Sequence, residues 1–78
     1  MNTITNLEFT EGYLMVAKFG NGVEKKIDFT NFLNVEVFAP LKNHNVFIKG
    51  KNKGYFVEWE GLDIDISADT LWHEGIIS

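Results

Sequence analysis

The chain has 78 residues, the size of one small domain, and we expect residues 1–78 to fold as a single unit. It contains no cysteine, which excludes a disulfide scaffold and a thiol nucleophile. Its formal net charge is -4 and its seven basic residues are all lysines; without arginine, direct nucleic-acid binding is disfavoured.

The first part of the chain has the two-residue periodicity of β-strands, in which successive side chains point to opposite faces of a sheet. The segments LEFT (residues 7–10) and YLMVAKF (residues 13–19) flank Glu11-Gly12 and predict a hairpin. Because YLMVA is apolar on both faces, we expect this second strand to be central. A helix would cover one face, and partly exposed side chains or a partner would cover the other.

A second hairpin is predicted at Gly20-Asn21-Gly22, since Asn-Gly between two alternating runs is a strong turn signal. The third predicted strand covers residues 23–29. Lys25 falls on its apolar face, so either the side chain reaches solvent at an edge or the register is looser than the pattern indicates.

The middle of the chain lacks strand periodicity. The segment TNFLN is long enough for one helical turn, with Thr30 as its cap. Pro40 suits the first position of a short helix or turn, where a missing N–H costs nothing. We expect Phe38, Leu41 and Phe47 to anchor this surface segment to the core.

Strand periodicity then returns in VFIKG (residues 46–50), YFVEWE (residues 55–60) and LDIDI (residues 62–66). Trp59 is predicted to lie in the core. Ser67 is predicted to cap a final helix, ADTLWHE, with Asp69 in its first turn. The predicted fold class is α+β: a small antiparallel β-sheet built from hairpins, with one short helix at mid-chain and one at the C-terminus.

The segment DIDISADTLWHE (residues 63–74) has the carboxylate spacing of an EF-hand calcium loop, with Asp63 first and Glu74 twelfth. The glycine required at the sixth position is replaced by Ala68, and a strand instead of a helix precedes the segment. Strand periodicity and helix capping account for its acidic side chains. We therefore expect no calcium site here.

No catalytic or cofactor-binding constellation is recognisable in the sequence. His44 and His73 are isolated from each other and from any thiol, so both are predicted to be surface residues. The Gly20-Asn21-Gly22 turn precedes a strand instead of a helix and therefore differs from a phosphate-binding loop. We expect no catalytic, metal-binding or cofactor-binding residue.

Charge is unevenly distributed along the chain. Residues 1–57 contain seven lysines and five acidic residues, whereas residues 58–78 contain six acidic residues and no lysine. One interpretation is cross-strand pairing of Lys49, Lys51 and Lys53 with the carboxylates that begin at Glu58. The other is an acidic face for a basic partner.

Four apolar residues in the same region have no assigned core position. We expect them to form an exposed patch on which another chain docks. They are Phe56, Trp72, Ile76 and Ile77.

The order of these features resembles the small bacterial domain family DUF2442. The resemblance is carried by FGNG with Ile27-Asp28, by Phe38-Ala39-Pro40-Leu41 and Phe47, by Val57-Glu58-Trp59, and by Asp63-Ile64 with Ser67-Ala68-Asp69-Thr70-Leu71. It implies a small α+β domain with no established enzymatic activity. It also implies a short cytoplasmic protein, often encoded beside a second small protein in an arrangement suggestive of a toxin–antitoxin pair. Some members continue into a helix-turn-helix; this sequence stops without one, which disfavours a DNA-binding role.

These observations favour a non-enzymatic protein-interaction module, the antitoxin-like or accessory member of a two-protein system. The expected partner is a protein, encoded next to this one in the simplest case, and a homodimer is an open alternative. The alternative function is a small-molecule or metal-sensing regulatory domain that uses the acidic end of the sheet. The sequence shows no signal peptide or membrane span, so we expect a cytoplasmic location and no membrane partner.

Overall fold

The computed structural model describes residues 2–77, which form two antiparallel sheets and four short helices. The predicted α+β class is confirmed. The first sheet has the strand order β1-β2-β3-β7 and the second the order β4-β5-β6. The strands are β1 (Ile4–Phe9), β2 (Leu14–Phe19), β3 (Glu24–Asp28), β4 (Lys51–Asn52), β5 (Phe56–Trp59), β6 (Ile64–Ser67) and β7 (Ile76–Ile77). The helices are two 3₁₀-helices (Phe29–Asn34 and Glu36–Lys42), α1 (His44–Phe47) and α2 (Ala68–Glu74).

The two predicted hairpins build the first sheet, and β2 is its central strand, as predicted. Met15 and Ala17 of β2 are fully buried on the inner face of the sheet. The β2–β3 turn is closed by bonds from the Gly22 N–H to the Phe19 carbonyl (2.9 Å) and from the Phe19 N–H to the Val23 carbonyl (2.8 Å). Gly22 has φ +88°, a conformation that glycine adopts without strain.

The third strand is shorter than the predicted range of residues 23–29. It ends at Asp28 because this side chain, and not Thr30 as predicted, caps the first 3₁₀-helix by accepting a bond from the Thr30 N–H (2.9 Å). Phe29 opens that helix and is fully buried. Pro40 lies inside the second 3₁₀-helix and not at its first position.

The predicted strand over residues 46–50 is wrong. Val46 and Phe47 form the end of α1, which begins after Asn43, whose side chain accepts a hydrogen bond from the Asn45 N–H (3.0 Å). Leu41 and Phe47 are fully buried and Phe38 is partly buried, so the three predicted anchors are confirmed. The second sheet therefore starts only at Lys51.

The last strand of the second sheet begins later than predicted. Residues 60–63 form a turn in which Gly61 has φ +81° and Asp63 has φ +54°. Asp63 and Leu62 therefore belong to this turn and not to a strand, and β6 begins at Ile64. The alternation expected for the segment holds from Ile64 onward, with Ile64 and Ile66 buried and Asp65 exposed.

The predicted C-terminal helix is confirmed as α2. The Ser67 Oγ accepts a hydrogen bond from the Thr70 N–H (3.1 Å), and Asp69 lies in the first turn, as predicted. The strand β7, which follows at Ile76–Ile77 and pairs with β3, was not predicted.

The core lies between the inner faces of the sheets, α2 and the mid-chain helices. Trp59 is only 1% exposed, which confirms its predicted core position, and its Nε1–H donates to the Phe47 carbonyl (2.9 Å). Phe29 packs against both rings, at centroid distances of 5.4 Å to Phe47 and 5.8 Å to Trp59. A Cβ at Gly50 would lie 2.8 Å from Trp59 Cε2, so a side chain at this position would collide with the cluster.

Candidate functional site

The four residues of the predicted partner surface lie on three different elements. Ile76 and Ile77, on β7, are 70% and 75% exposed. Trp72, on α2, is partly buried with its ring perpendicular to that of Phe19 at a centroid distance of 5.0 Å. Phe56, on β5, is partly buried and belongs to the second sheet. The largest apolar exposure among these four residues is therefore on β7.

The strand β7 occupies one edge of the first sheet. It pairs with β3 through Lys26↔Ile76 and Lys25↔Ile77, and no other strand within residues 2–77 pairs with it. In an antiparallel ladder the N–H and C=O groups of successive residues point alternately toward and away from the neighbouring strand. One of the two isoleucines consequently directs its backbone polar groups away from β3.

The outer face of the first sheet is opposite to the face that carries Met15 and Ala17. The strand register places Glu8, Val16, Lys26 and Ile76 in one row across this face. Val16 is partly buried although it points away from the core, in agreement with the prediction that the second face of β2 carries partly exposed apolar side chains.

A groove of about 540 Å³ lies on this outer face and extends to β7; we call it the outer groove. Its apolar lining comes from β2, the first 3₁₀-helix, the segment that follows it, and β7. Its polar lining comes from β3, the same 3₁₀-helix and α2. The lining residues are Leu14, Lys26, Asp28, Asn31, Phe32, Val35, Glu74 and Ile76.

Two carboxylates and one ammonium group are the charged side chains of the outer groove, on Asp28, Glu74 and Lys26. Hydrogen bonds from the Thr30 hydroxyl and from the Thr30 backbone N–H lower the pKa of Asp28 below its ordinary value of 3.8. Asp28 is therefore a carboxylate throughout the neutral range. The charged lining carries a net negative charge beside apolar side chains.

The position of β7 depends on contacts between α2 and β3. The Lys25 Nζ donates a hydrogen bond to the Trp72 carbonyl (2.6 Å) and lies 3.8 Å from the centroid of the Trp72 ring. A Cβ at Gly75 would lie 3.0 Å from Lys25 Cβ and 3.1 Å from Ile27 Cγ1, so glycine allows the chain to pass close to β3. Lys25 thus points to the inner side of β3 and extends along α2.

A second hollow, of about 370 Å³, lies beside the β5–β6 turn and is lined by several acidic residues. Glu58 and Asp65 are direct cross-strand partners on this sheet. Lys51 and Lys53 both pair with Glu60, at 3.5 Å and 3.3 Å, which confirms the predicted pairing for two of the three lysines. The hydrogen bond from Lys53, with the charge of Lys51, lowers the pKa of Glu60 below 4.5.

The acidic side chains of residues 63–74 lie in three places: Asp63 and Asp65 line the second hollow, Asp69 lies in the first turn of α2, and Glu74 lines the outer groove. Asp69 accepts hydrogen bonds from the Asn2 backbone N–H (2.8 Å) and side-chain Nδ2 (2.9 Å), which lower its pKa below 3.8. Within residues 2–77 there is no group of three His, Cys, Asp or Glu side chains that could hold a metal ion. His44 and His73 are exposed, as predicted, and the His44 ring packs against Tyr13 at a centroid distance of 5.7 Å.

The outer groove was only partly predictable. The apolar character of both faces of YLMVA indicated that Leu14 and Val16 would need a covering. The contributions of Asp28, Val35 and Glu74 depend on where the 3₁₀-helix and α2 pack, and no local sequence signal reports that. The predicted partner surface included Ile76 and Ile77, but the sequence did not predict that they form a strand paired with β3.

The fold and the surface define a small α+β domain with two antiparallel sheets, an edge strand that pairs only with β3 among the strands of residues 2–77, and an adjoining outer groove. The chain belongs to the DUF2442 family, described as a protein of unknown function, which it matches over residues 4–76. No curated protein and no solved structure matches it. None of the helices within residues 2–77 has the length and apolar character needed to cross a membrane.

Proposed function

We propose that this protein is a non-enzymatic protein-interaction module that binds its partner through β7 and the outer groove. The observation that carries the proposal is the exposure of the consecutive residues Ile76 (70%) and Ile77 (75%) on an edge strand, where one side chain lies on each face of the sheet. Complete burial of an isoleucine side chain contributes about 1.5–3 kcal/mol, so covering both would give a partner substantial binding energy. Leu14 and Phe32 extend the apolar surface into the outer groove.

The family resemblance supports a more specific role. We propose that the module is the antitoxin-like or accessory member of a two-protein system and that its partner is a second small cytoplasmic protein. An edge strand beside a groove suits this role, because main-chain pairing supplies affinity while pockets for alternate side chains supply specificity.

Affinity capture with matched variants tests the proposal. The tagged chain is expressed in its native cell as wild type and as the double variant Ile76→Thr/Ile77→Thr. Threonine keeps the β-branched shape that favours a strand but removes apolar surface. The control is Leu62→Thr, since Leu62 is 41% exposed in the turn of the second sheet.

We expect wild type and the control to retain a stoichiometric protein partner and the double variant to lose it. Melting temperatures of all three proteins establish that the difference arises from the surface and not from unfolding. Capture of no stoichiometric partner, or a partner retained equally by the double variant, would contradict the proposal.

A second candidate function is a small-molecule or metal-sensing regulatory domain. The volume of the outer groove, about 540 Å³, is the observation that favours the small-molecule form, since ligand sites in proteins occupy about 300–1,000 Å³. A ligand present at 100 times its dissociation constant stabilises the folded state by about 2.7 kcal/mol. A thermal-shift screen with divalent ions and metabolites would detect that stabilisation, and an unchanged melting temperature across the screen would remove this candidate.

A further inference from the structure

We infer that Asn21 is a modification site at which the side-chain amide is lost as ammonia, so that the turn between β2 and β3 acquires an aspartate or an isoaspartate. The inference is independent of the proposed function. It combines three observations: a glycine follows this asparagine, the turn is exposed, and the Asn21 side chain is held against the backbone that follows it.

The reaction needs only the groups of the turn and water. The Gly22 nitrogen attacks the Asn21 Cγ and loses its proton, the bond from Cγ to Nδ2 breaks, and Nδ2 leaves as ammonia. The product is a cyclic imide, and nothing is oxidised or reduced. Water then opens the ring. Attack of water at Cγ gives an aspartate, whereas attack at the main-chain carbonyl carbon gives an isoaspartate, whose main chain runs through Cβ and Cγ.

Glycine at position 22 distinguishes this asparagine from the others in the chain. A side chain on the following residue crowds the imide ring, and glycine has none. A Cβ built on Gly22 would meet no atom within 4 Å apart from its chain neighbours, so the nitrogen is open to approach on this side. Seven other asparagines precede residues that carry a side chain: Asn2, Asn6, Asn31, Asn34, Asn43, Asn45 and Asn52.

A hydrogen bond of the folded turn favours the reaction. The Val23 N–H donates to the Asn21 Oδ1 at 3.0 Å, which folds the side chain back over the backbone as in an Asx turn. Negative charge develops on this oxygen when the Gly22 nitrogen attacks Cγ. A donor that is already directed at the oxygen stabilises that charge. The folded turn therefore holds the amide in place and activates it.

A second hydrogen bond opposes the reaction. The Gly22 N–H donates to the Phe19 carbonyl at 2.9 Å, so the nitrogen is free to attack only when this bond opens. Gly20, Asn21 and Gly22 are all exposed, and opening the turn here uncovers no core residue. Local opening of an exposed turn requires much less free energy than global unfolding. We therefore expect the reaction in the folded protein.

The two products have different effects on the first sheet. An aspartate keeps an acceptor oxygen for the Val23 N–H. An isoaspartate adds one carbon atom to the main chain of the turn, which displaces the Gly22 N–H from the Phe19 carbonyl. The turn sets the register between β2 and β3, and β3 in turn pairs with β7. The isoaspartate product therefore loosens the hairpin, whereas the aspartate product leaves it intact.

Incubation of the full chain at mildly alkaline pH, followed by peptide mapping with mass spectrometry, tests the inference. Circular dichroism establishes that the chain stays folded during the incubation. We expect the mass increase from amide to acid at Asn21 before any other asparagine. Asn52 is the internal control, because its Nδ2 donates to the Ile4 carbonyl (3.0 Å) and its Oδ1 accepts from the Gly54 N–H (2.8 Å). Asn21→Gln should lose the modification, since the longer side chain forms the ring far more slowly.

Ion-exchange chromatography separates the products, and electron-based fragmentation distinguishes isoaspartate from aspartate. We expect the variant Asn21→Asp, which reproduces the aspartate product, to melt at the temperature of the wild type, and the isoaspartate product to melt at a lower temperature. A peptide of residues 17–25 reports the reaction without the fold. An intact Asn21 in the folded chain after the peptide has reacted, equal modification of Asn52, or an isoaspartate product as stable as Asn21→Asp would overturn the inference.

Discussion

Lys25 shows how one side chain can connect two elements that are far apart in sequence. Its position on the inner side of β3 would be unfavourable for an isolated ammonium group. The Trp72 carbonyl accepts its hydrogen bond at 2.6 Å, and the Trp72 ring lies 3.8 Å from Nζ. The stem of the side chain covers apolar surface while its charged end is paired. The contact holds α2 against β3 and so positions β7.

We predict that Lys25→Met lowers the free energy of unfolding by about 1–2 kcal/mol, because it removes a charged hydrogen bond and a cation–π contact while retaining the apolar stem. The control is Lys26→Met, on the exposed outer face of the same strand, for which we expect a change within about 0.5 kcal/mol. Urea denaturation measures both. Equal effects of the two substitutions would contradict a structural role for Lys25.

Gly50 provides a second test at the scale of single residues. A methyl group at this position would lie 2.8 Å from Trp59 Cε2 and 2.9 Å from Phe9 Cζ. We predict that Gly50→Ala destabilises the protein by about 1–3 kcal/mol through overpacking of the aromatic cluster. Gly20→Ala is the comparison, since its nearest neighbour is the Thr3 hydroxyl, which can rotate away. An unchanged free energy of unfolding for Gly50→Ala would contradict close packing of the aromatic cluster around Gly50.

The elements that the sequence predicted well are those with local signals. Ser67 and Asp69 marked the start of α2, and the glycine-containing turns marked both hairpins of the first sheet. The segment of residues 46–50 was assigned incorrectly because it is rich in the β-branched and aromatic residues typical of strands. Its conformation is decided by the Asn43 cap and by burial of Phe47 against Trp59, which is a tertiary contact. Propensity is a weak guide where such a contact dominates.

Capping by Asp28 leads to a prediction about pH. Hydrogen bonds from Thr30 lower the pKa of Asp28 in the folded state below 3.8. The resulting stabilisation is complete above the unfolded-state value and is lost as the pH falls through the lower, folded-state pKa. We expect Asp28→Asn, which keeps an acceptor oxygen, to be less sensitive than wild type to acidification below about pH 4. Parallel dependence of the two melting temperatures on pH would contradict this assignment.

At the scale of the whole molecule, the surface formed by β7 and the outer groove combines features that the sequence predicted separately. Apolar residues on both faces of β2, exposed isoleucines near the C-terminus and an acidic final segment were each apparent in the sequence. Their arrangement was not, because it depends on the pairing of β7 with β3. A strand of two residues has no periodicity of its own, and its conformation is set by the partner strand. Phe56 and Trp72 were grouped with the isoleucines by sequence position, but they lie on other elements.

The acidic charge of the chain also divides between two surfaces. Beside the second sheet, Glu58, Glu60, Asp63 and Asp65 line one hollow, and Glu60 pairs with Lys51 and Lys53. Around the outer groove, Asp28 and Glu74 face a single lysine. The predicted pairing of lysines with the acidic segment is therefore present beside the second sheet for Lys51 and Lys53, whereas an acidic face for a basic partner stays a prediction.

Hydrogen exchange of the complex between this chain and its captured partner tests the central proposal most directly. Amides that pair with an added strand exchange more slowly than amides at a free edge. We predict that partner binding slows exchange at Ile76 or Ile77, together with the neighbouring residues of β3 and the outer groove, and leaves the second sheet unchanged. Slower exchange confined to β4–β6, with β7 unaffected, would show that the partner binds elsewhere.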